Sequence, residues 1–340
     1  MNEILVTGAN GFIGSNLVRT ALARGFQVAG MVRNQAKTNQ IDGLDIELVR
    51  YGGFYDRDAL RRAIRGKSFV FHVAGATKAL SPQTLYRVNE GGIRAILKIC
   101  GEMETPPIVV YVSSLAAAGP SAADHLRTEE EPPEPVSQYG RSKLAAERAA
   151  RRWANEIPIS IVRPPIVLGP ADAEGLAMFR AIRRLHLHIV PGYGHSRYSI
   201  VHVSDLCNLM IRAAEHGHRI RRNENSDSDR AEGCYFASCN EHPTYSELGQ
   251  MLRKAVGRRI SINLPIPKAS VWFVATGGEA ASHLAKRPFY LKWDKAREIT
   301  AGSWACSPRA AIQQLDYSPS APLQDQLNET ALWYQDAGWL

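Results

Sequence analysis

The sequence predicts an α/β protein in which a doubly wound parallel sheet is followed by a smaller C-terminal lobe. Short apolar runs alternate with segments of helical apolar spacing up to about residue 170, as in the strand–helix–strand units of parallel sheets. A glycine-rich loop, residues 8–14, separates the first apolar run from the first helical segment. We therefore assign residues 1–170 to the first domain and 171–340 mainly to the second, with segments near 198–215 and 235–237 returning to the first.

The composition excludes several classes of protein. Of 340 residues, 45% are hydrophobic and 22% are charged, which is ordinary for a globular chain. The net charge is +8, but Lys and Arg form scattered pairs without interleaved aromatic residues, so we expect no nucleic acid partner. The five cysteines show no CxxC spacing, so we expect neither a metal site nor disulfides. Because there is no signal peptide and no run of about 20 apolar residues, we expect a cytoplasmic protein without a membrane partner.

The first strand and the glycine-rich loop predict a dinucleotide site. The apolar run 4–6 ends at Gly8, and helical spacing follows the loop. In this context Gly8 permits a tight turn, Gly11 lets the backbone approach a pyrophosphate, and Gly14 lets helix and strand pack closely. The phosphates would lie at the helix N-terminus, as in a Rossmann fold. We predict that the loop residues Gly8, Asn10, Gly11, Phe12, Ile13 and Gly14 bind the cofactor.

The end of the second strand predicts which dinucleotide binds. A carboxylate at this position would bind the ribose of NAD, but the strand ends at Arg33. A guanidinium suits a 2′-phosphate, so we expect NADP, with NAD as the other possibility, and Lys37 could add positive charge. The alternative is that Arg33 is a solvated surface residue.

The remaining elements follow in order along the chain. The fourth strand ends in the small residues Ala74 and Gly75, which would let the backbone approach the cofactor. The fifth strand ends in Ser113 and Ser114, at the edge of a parallel sheet where ligands bind. Strands are predicted at 27–33, 46–49, 69–75, 108–112, 159–163 and 198–203, helices at 58–65, 84–100, 178–187, 205–215, 245–255 and 271–284, and polar surface loops at 121–138 and 221–230.

Tyr139 and Lys143 form the strongest candidate for a catalytic pair. The composition of 142–150 favours a helix, on which residues four apart share a face. A nearby ammonium should lower the pKa of the Tyr139 phenol and fit it for general acid/base work. By itself a Tyr-x-x-x-Lys spacing is more often a solvated helix face.

Taken together, the motifs resemble the extended short-chain dehydrogenase/reductase family, also called the NAD-dependent epimerase/dehydratase family. The resemblance covers nearly the whole chain and rests on the motifs 7–14, 71–75, 88–89, 112–114, 139–143, 163–165 and 202–206. It implies a catalytic group in which Tyr139 is the acid/base, Lys143 binds the nicotinamide ribose and lowers the Tyr139 pKa, and Ser114 holds the substrate oxygen, with Ser113 as the weaker choice. We add Pro164 and Ile166 to the predicted cofactor contacts.

Three positions depart from the pattern of the family. Gly53 stands where many members carry an acidic residue that contacts adenine. Ile166 replaces an asparagine that is usual in members acting on nucleotide sugars, and Tyr198-Ser199 replaces their arginine–aspartate pair. The last two changes remove expected contacts to a diphosphate-sugar and resemble the branch with hydroxysteroid dehydrogenases and dihydroflavonol reductases.

These observations favour an NAD(P)-dependent oxidoreductase that transfers hydride between the nicotinamide and a carbonyl or secondary alcohol of a small molecule. The first alternative is a nucleotide-sugar epimerase or dehydratase with tightly bound NAD. The second is a non-catalytic nucleotide sensor, against which the complete Ser114, Tyr139 and Lys143 set argues. The resemblance also implies a homodimer built on helices near 84–100 and 139–155.

Overall fold

The computed structural model describes residues 2–192, 194–223, 225–285, 289 and 291–340. A seven-stranded sheet with the order β10-β6-β5-β4-β1-β2-β3 forms its centre, and every strand pair in it is parallel. Numbered along the chain, the strands are β1 (Glu3–Thr7), β2 (Gln27–Arg33), β3 (Glu47–Tyr51), β4 (Phe69–His72), β5 (Ile108–Val112), β6 (Ile159–Arg163) and β10 (Cys234–Phe236). The predicted doubly wound parallel sheet is confirmed.

Helices cover both faces of the sheet because successive strand residues point to opposite faces. Ile4 and Val6 of β1 pack toward one face, and Leu5 packs toward the other. The first face carries α1 (Phe12–Ala23), α7 (Val203–His216) and α12 (Arg309–Leu315). The second face carries α2 (Arg57–Ile64), α3 (Pro82–Cys100) and α5 (Gln138–Arg151), while α4 (Leu115–Ala118) follows β5.

The strand order reverses between β1 and β4. From β1 the chain moves outward to β2 and β3, then crosses back to β4 on the other side of β1. In such sheets the loops after the two strands at the reversal diverge and leave a crevice at their carboxyl ends. The predicted glycine-rich loop and the Ala74-Gly75 turn therefore lie side by side in this crevice.

Beyond the sheet and its covering helices, the described part of the chain contains two short parallel ribbons and six further helices. One ribbon pairs β7 (Ile166–Leu168) with β9 (Ile200–His202), and the other pairs β8 (Leu187–Pro191) with β11 (Ile262–Ile266). The helices are α6 (Leu176–Leu185), α8 (Asp227–Ala231), α9 (Tyr245–Ala255), α10 (Lys268–Ala285), α11 (Trp293–Thr300) and α13 (Leu323–Asp336). No helix among the described residues is both long and apolar enough to cross a bilayer.

Several predicted boundaries differ from the observed ones. The helix expected at 178–187 ends at Leu185, because His186 adopts a left-handed conformation (φ 53°) and β8 begins at Leu187. The strand expected at 198–203 shortens to β9. The loop expected at 221–230 contains α8, whose N-cap is Ser226, and Glu224 of that loop lies outside the described residues. Periodicity misses the short ribbon strands because three to five residues carry too little pattern.

The segment 121–138, for which the composition predicts a polar surface loop, has two buried charged side chains. Arg127 is 5% exposed and donates to the carbonyl oxygens of Pro120 and Pro132. The carboxylate of Glu129, 3% exposed, accepts a hydrogen bond of 2.7 Å from the backbone N–H of Phe236 in β10. This loop therefore ties the edge strand to the sheet, and it supports the return of 235–237 to the sheet. The division at residue 170 itself stays a prediction.

Candidate active site

The glycine-rich loop has no room for side chains at its two ends. Gly8 has φ +69°, and a Cβ there would lie 3.0 Å from the Cα of Ala74. A Cβ on Gly14 would lie 2.1 Å from the carbonyl oxygen of Gly8. The first residue forms the turn after β1, and the second lets α1 pack directly on it. Helix α1 begins at Phe12, so Phe12, Ile13 and Gly14 form its first turn, where backbone N–H groups lack helical partners.

We expect Gly14→Ala to damage both the fold and cofactor binding. The added methyl group must displace backbone atoms of the loop, so the free energy of unfolding should fall by about 2–3 kcal/mol. Dinucleotide affinity should fall at least about tenfold, because the loop moves away from the helix N-terminus. Thermal unfolding and fluorescence titration with NADPH measure both effects. The control is Gly277→Ala in α10, where a Cβ meets nothing within 4 Å and helix propensity favours alanine. Equal losses in the two variants would contradict the packing argument.

The turn after β2 is fastened to the glycine-rich loop. The side-chain amide of Asn10 donates to the carbonyl oxygen of Lys37 at 3.0 Å. Arg33 ends β2 and is exposed, and no described carboxylate forms an ion pair with its guanidinium. Arg33 is therefore free to bind an anion beside the loop.

The turn after β4 completes the crevice. The hydroxyl of Thr7 accepts a hydrogen bond of 3.1 Å from the backbone N–H of Ala74 and lies 2.9 Å from Nδ1 of the buried His72. A Cβ on Gly75 would lie 3.2 Å from Oδ1 of Asn89 and 3.4 Å from Nζ of Lys143. Gly75 thus leaves a narrow space between these two side chains.

Asn89 is a site residue to which sequence reasoning gives no role. Its Oδ1 accepts from the backbone N–H of Ala76 at 2.8 Å. Its amide donates to the carbonyl oxygen of Ala76 at 3.0 Å and to the hydroxyl of Ser142 at 2.9 Å. It therefore joins the turn after β4 to α5, the helix that carries Tyr139. The sequence signal for it is its place in one of the motifs behind the family resemblance.

The two serines after β5 point in different directions. Ser113 is 3% exposed, and its hydroxyl donates to Glu147 at 2.5 Å. Glu147 in turn forms a buried two-bonded ion pair with Arg163, at 2.6 and 2.9 Å. Ser114 caps α4 by accepting from the backbone N–H of Ala116 at 3.1 Å, and its hydroxyl lies near enough to the phenol of Tyr139 to lower the pKa of that phenol. The geometry therefore leaves Ser114, and not Ser113, beside the tyrosine.

Tyr139 lies in the first turn of α5, which is longer than predicted. The N-terminus of this helix is capped by Ser137 and by Asp294. Ser137 caps it at 2.9 Å, and Asp294 of α11 accepts from the backbone N–H groups of Gln138 and Tyr139, at 2.6 and 3.1 Å. Burial raises the pKa of Tyr139 to about 12, and the neighbouring Ser114 hydroxyl partly opposes this shift. Lys143 is not among the groups that cause this shift, and its lowering of the Tyr139 pKa stays a prediction.

The Lys143 ammonium lies buried beneath the site. It is 4% exposed and donates to the carbonyl oxygen of Val112 at 2.7 Å, below the ring of Tyr111. Burial lowers the pKa of Lys143 to about 8, although the charge of Glu147 opposes the shift. The lysine is thus a buried cation at the bottom of the crevice.

Because Lys143 is buried, we expect Lys143→Met to raise the stability of the protein and to abolish its activity. Lys143 has a folded pKa of about 8 against an ordinary 10.5, so the unfolded state binds more protons between these values. The buried ammonium therefore destabilises the protein fully below pH 8, and the penalty fades as the pH rises to 10.5. At pH 7 the variant without cofactor should be about 1–2 kcal/mol more stable, after allowing for the lost hydrogen bond to Val112.

Denaturant unfolding at a series of pH values measures this difference. The advantage of the variant should shrink between pH 8 and 10.5, while its catalytic activity is lost. The exposed Lys98 of α3 supplies the control, because Lys98→Met removes an ammonium that is already in water. A variant that is less stable at every pH would show that the ammonium stabilises the fold.

The two predicted residues after β6, Pro164 and Ile166, lie in different surroundings. The carbonyl oxygen of Pro164 accepts from the backbone N–H of Leu115 at 2.9 Å, so Pro164 helps to hold α4 and Ser114. Ile166 is half-buried in β7, beside Ile200 of β9. The predicted set thus surrounds one crevice, from the glycine-rich loop through Ala74 and Gly75 to Ser114, Tyr139 and Lys143.

The crevice fits an extended dinucleotide. The loop after β1 is closed to side chains and offers backbone N–H groups at a helix N-terminus, an arginine is free at the end of β2, and a buried cation lies at the far end. These features would hold the phosphates at the loop and place the nicotinamide toward Lys143 and Tyr139.

Known proteins match this chain in both sequence and structure. The profile of the NAD dependent epimerase/dehydratase family matches residues 4–226. The ceramide reductase of Caulobacter vibrioides is 29% identical over 338 residues, which cover 99% of this chain and 96% of that protein. The sterol demethylase protein B of Methylococcus capsulatus is 28% identical over 258 residues, which cover 74% of each protein.

The solved structure of a UDP-glucose 4-epimerase from Thermotoga maritima has the same fold, with a TM-score of 0.76 at 20% identity, covering 98% of this chain and 99% of that chain. The family profile covers well over half of the chain, including the glycine-rich loop, Ser114, Tyr139 and Lys143. The chain is therefore an NAD(P)-dependent enzyme of the NAD dependent epimerase/dehydratase family.

Proposed function

We propose that this protein is an NADP(H)-dependent reductase or dehydrogenase acting on a carbonyl or secondary alcohol of an apolar, lipid-like molecule. The observation that carries the proposal is the placement of Ser114 beside the phenol of Tyr139 at the end of the crevice, with Lys143 buried beneath. This is the minimum set for moving a proton to or from a substrate oxygen.

Each side chain of the site then has one task. When bound, a reduced nicotinamide cofactor supplies the hydride that the substrate carbon receives. The phenol of Tyr139 donates its proton to the substrate oxygen, and the hydroxyl of Ser114 donates a hydrogen bond that holds this oxygen in place. A pKa raised to about 12 keeps the phenol protonated at neutral pH, which suits the direction of reduction. Asn89 holds the turn and helix on which the site is built.

Two placements weigh against a nucleotide sugar as substrate. Ile166, which replaces the usual asparagine, is half-buried in β7 and offers no polar group. Ser199 is buried, and its hydroxyl accepts from Cys306 at 2.9 Å and lies 2.9 Å from Nδ1 of His242. Neither residue is available to bind a diphosphate.

The names of the relatives supply the apolar class of substrate. The ceramide reductase and the sterol demethylase protein B are named for a ceramide and for sterols, both of which are lipids.

The proposed test identifies the nucleotide first. The purified protein is denatured, the released nucleotide is identified by mass spectrometry, and exchange with added NADPH is followed. Turnover is then measured with long-chain ketones and ketosterols in detergent, against UDP-glucose and UDP-glucuronate. Freely exchanging cofactor, preference for NADPH and consumption of NADPH with an apolar ketone would support the proposal. Tightly held NAD with turnover of a nucleotide sugar would overturn it in favour of an epimerase.

The preference for NADPH rests on Arg33, and we expect Arg33→Ala to reverse it. The KM for NADPH should rise about 10- to 100-fold, because a charge-assisted contact to the 2′-phosphate is lost, while the KM for NADH changes little. Initial rates with both cofactors measure this. Arg65→Ala is the control, since this exposed arginine follows α2 at the opposite end of the sheet. An equal change for both cofactors would mean that Arg33 does not contact the 2′-phosphate.

The homodimer through α3 and α5 and the cytoplasmic location stay predictions. Helices α3 and α5 pack against each other on one face of the sheet, so they could present a common surface to a second copy.

A further inference from the structure

Exposed apolar side chains are concentrated in one part of the second lobe. Among the described residues, 16 large hydrophobic residues are exposed, and 11 of these lie within residues 185–189 or within residues 260–293. These segments form the β8/β11 ribbon and the helix α10 that follows it. A concentration of this kind marks a surface that meets another apolar phase.

The ribbon contributes an open sheet face. Ile189 and Leu264 are paired neighbours and are 49% and 43% exposed, and Ile262 is 61% exposed. The opposite face packs inward, where Nε2 of the buried His188 lies 2.9 Å from the carbonyl oxygen of Tyr245. Leu185 and Ile260, at the start of the ribbon, are 70% and 71% exposed.

Helix α10 continues this surface. It begins two residues after β11, and its inner side, with Val271 and Ala275, packs against Ala296 of α11. Its outer stripe consists of Phe273, Gly277, Ala280 and Leu284, spaced as one helical face, and the first and last of these are 83% and 87% exposed. Apolar side chains on the outer face of a helix gain free energy when another apolar surface removes them from water. We call the exposed side chains of the ribbon and of this stripe the apolar surface.

The segments that contain the ribbon and most of α10 also carry an excess of positive charge. Segments 175–204 and 248–278 contain nine of the 41 Lys and Arg residues and none of the 33 Asp and Glu residues. They contribute +9 to the net charge of +8, so the rest of the chain sums to −1. No described carboxylate forms an ion pair with any of the nine.

Folding gathers arginines that are far apart in the sequence. The guanidinium of Arg258 donates to the carbonyl oxygen of Arg183 at 2.8 Å, and Arg253 donates to the carbonyl oxygen of Arg259 at 2.8 Å. The pairs 183–184 and 258–259 therefore meet beside the start of the ribbon. Arg184, Lys254 and Arg259 are exposed there, and Lys268 is exposed at the other end of the ribbon, where α10 begins.

We propose that the apolar surface and its basic border bind the surface of an anionic phospholipid bilayer. Branched and aromatic side chains would enter the interface between headgroups and acyl chains, and the cations of the border would bind the anionic headgroups. A second copy of this chain fits less well, because it would bring a second set of nine positive charges to the contact. The proposal departs from the expectation of a protein without a membrane partner, because that expectation considers only segments that span a bilayer, whereas here the protein lies on its surface.

The proposed surface is next to the candidate active site. The indole N–H of Trp293 in α11 donates to Thr276 of α10 at 3.1 Å. Asp294, the next residue, caps the helix that begins beside Tyr139. The docking inference itself rests on charge and exposure and does not depend on the proposed reaction.

The test is sedimentation of the full-length protein with vesicles of phosphatidylcholine alone or mixed with phosphatidylglycerol, at low and high salt, without substrate. We expect at least about tenfold stronger partitioning onto the anionic vesicles, which high salt reduces. The double variant Arg184→Glu/Arg259→Glu and the double variant Phe273→Ser/Leu284→Ser should each lower it about tenfold or more. All four side chains are exposed, so the fold and the binding of NADPH should be unchanged.

The matched controls lie outside the surface. Arg65→Glu/Arg87→Glu makes the same charge change, and Leu332→Ser removes a 58% exposed leucine of α13. Equal losses in the controls, or equal binding to neutral and anionic vesicles, would overturn the proposal. A dimer that dissociates in Phe273→Ser/Leu284→Ser, without vesicle binding by the parent protein, would assign the surface to a second copy. Vesicle binding needs no turnover, so this result is independent of the proposed reductase activity.

Discussion

Tyr139→Phe should lower turnover of the carbonyl substrate by about 10²- to 10⁴-fold while leaving cofactor affinity within about twofold. The variant keeps the ring but removes the phenol proton beside Ser114. The backbone of Tyr139 remains capped by Asp294, so α5 should begin at the same residue. Steady-state rates and fluorescence titration with NADPH separate the two effects.

A buried tyrosine elsewhere provides the matched control. Tyr317 is 4% exposed, and its hydroxyl has no hydrogen-bond partner among the described residues. Tyr317→Phe should therefore leave turnover unchanged and stability unchanged or slightly higher. Turnover of Tyr139→Phe within tenfold of the parent would contradict the assigned role of the phenol, whatever the substrate proves to be.

Glu147→Gln should destabilise the fold strongly, because it removes one charge of a buried ion pair. Glu147 and Arg163 are 1% and 4% exposed, and the guanidinium donates twice to the carboxylate. Although burial alone would raise the pKa of Glu147, Arg163 holds it below its usual value, so the pair is ionised. The substitution leaves an uncompensated guanidinium in the core and should cost about 3–5 kcal/mol.

The chain contains a pair of the same type at its surface. Glu90 and Arg94 of α3 are separated by 2.6 Å, as are the closest atoms of Glu147 and Arg163. The side chains of the α3 pair are 25% and 49% exposed, so Glu90→Gln should cost only about 0.5 kcal/mol or less. Urea unfolding of both variants compares the same chemical change inside and outside the core. A similar cost at the two positions would show that Arg163 is hydrated or paired in another way.

The buried Glu147–Arg163 pair also determines where the Ser113 side chain points. Glu147 accepts the hydroxyl of Ser113, which turns this side chain into the core. Loss of the charge should therefore weaken the hydrogen bond that holds Ser113. The orientation of Ser113 into the core thus depends on a buried pair of charges.

The glycine-rich loop and the Tyr–Lys pair are predictable because their signals are local. The distances between Gly8, Gly11 and Gly14 along the chain already imply a turn followed by a closely packed helix. The four-residue spacing of Tyr139 and Lys143 implies a shared helix face in any α-helix. The parallel sheet follows from the alternation of elements, since parallel strands need crossovers of one hand.

Other features of the site depend on contacts between distant residues. Asp294 caps the helix of Tyr139 from 155 residues away, and the ammonium of Lys143 turns to a carbonyl oxygen on β5. The sequence could therefore predict that the lysine is close to the tyrosine but could not predict the resulting pKa. The latter depends on the burial of each group, and burial is a property of the packed molecule.

The clustering of the basic residues also depends on contacts between distant segments. In the sequence, the arginine pairs 183–184 and 258–259 are two among several scattered pairs, and they argue only against nucleic acid. In the structure they share one corner with exposed aliphatic residues of the ribbon.

By itself, then, the sequence determined the doubly wound sheet, the dinucleotide loop and the tyrosine–lysine pair, because periodicity and short spacings fix these within one turn or one strand. Tertiary structure decided which serine accompanies Tyr139, how far the two pKa values shift and where the positive charge collects. Each of these depends on which side chains lose contact with water, and that is set only when segments far apart in the sequence pack together.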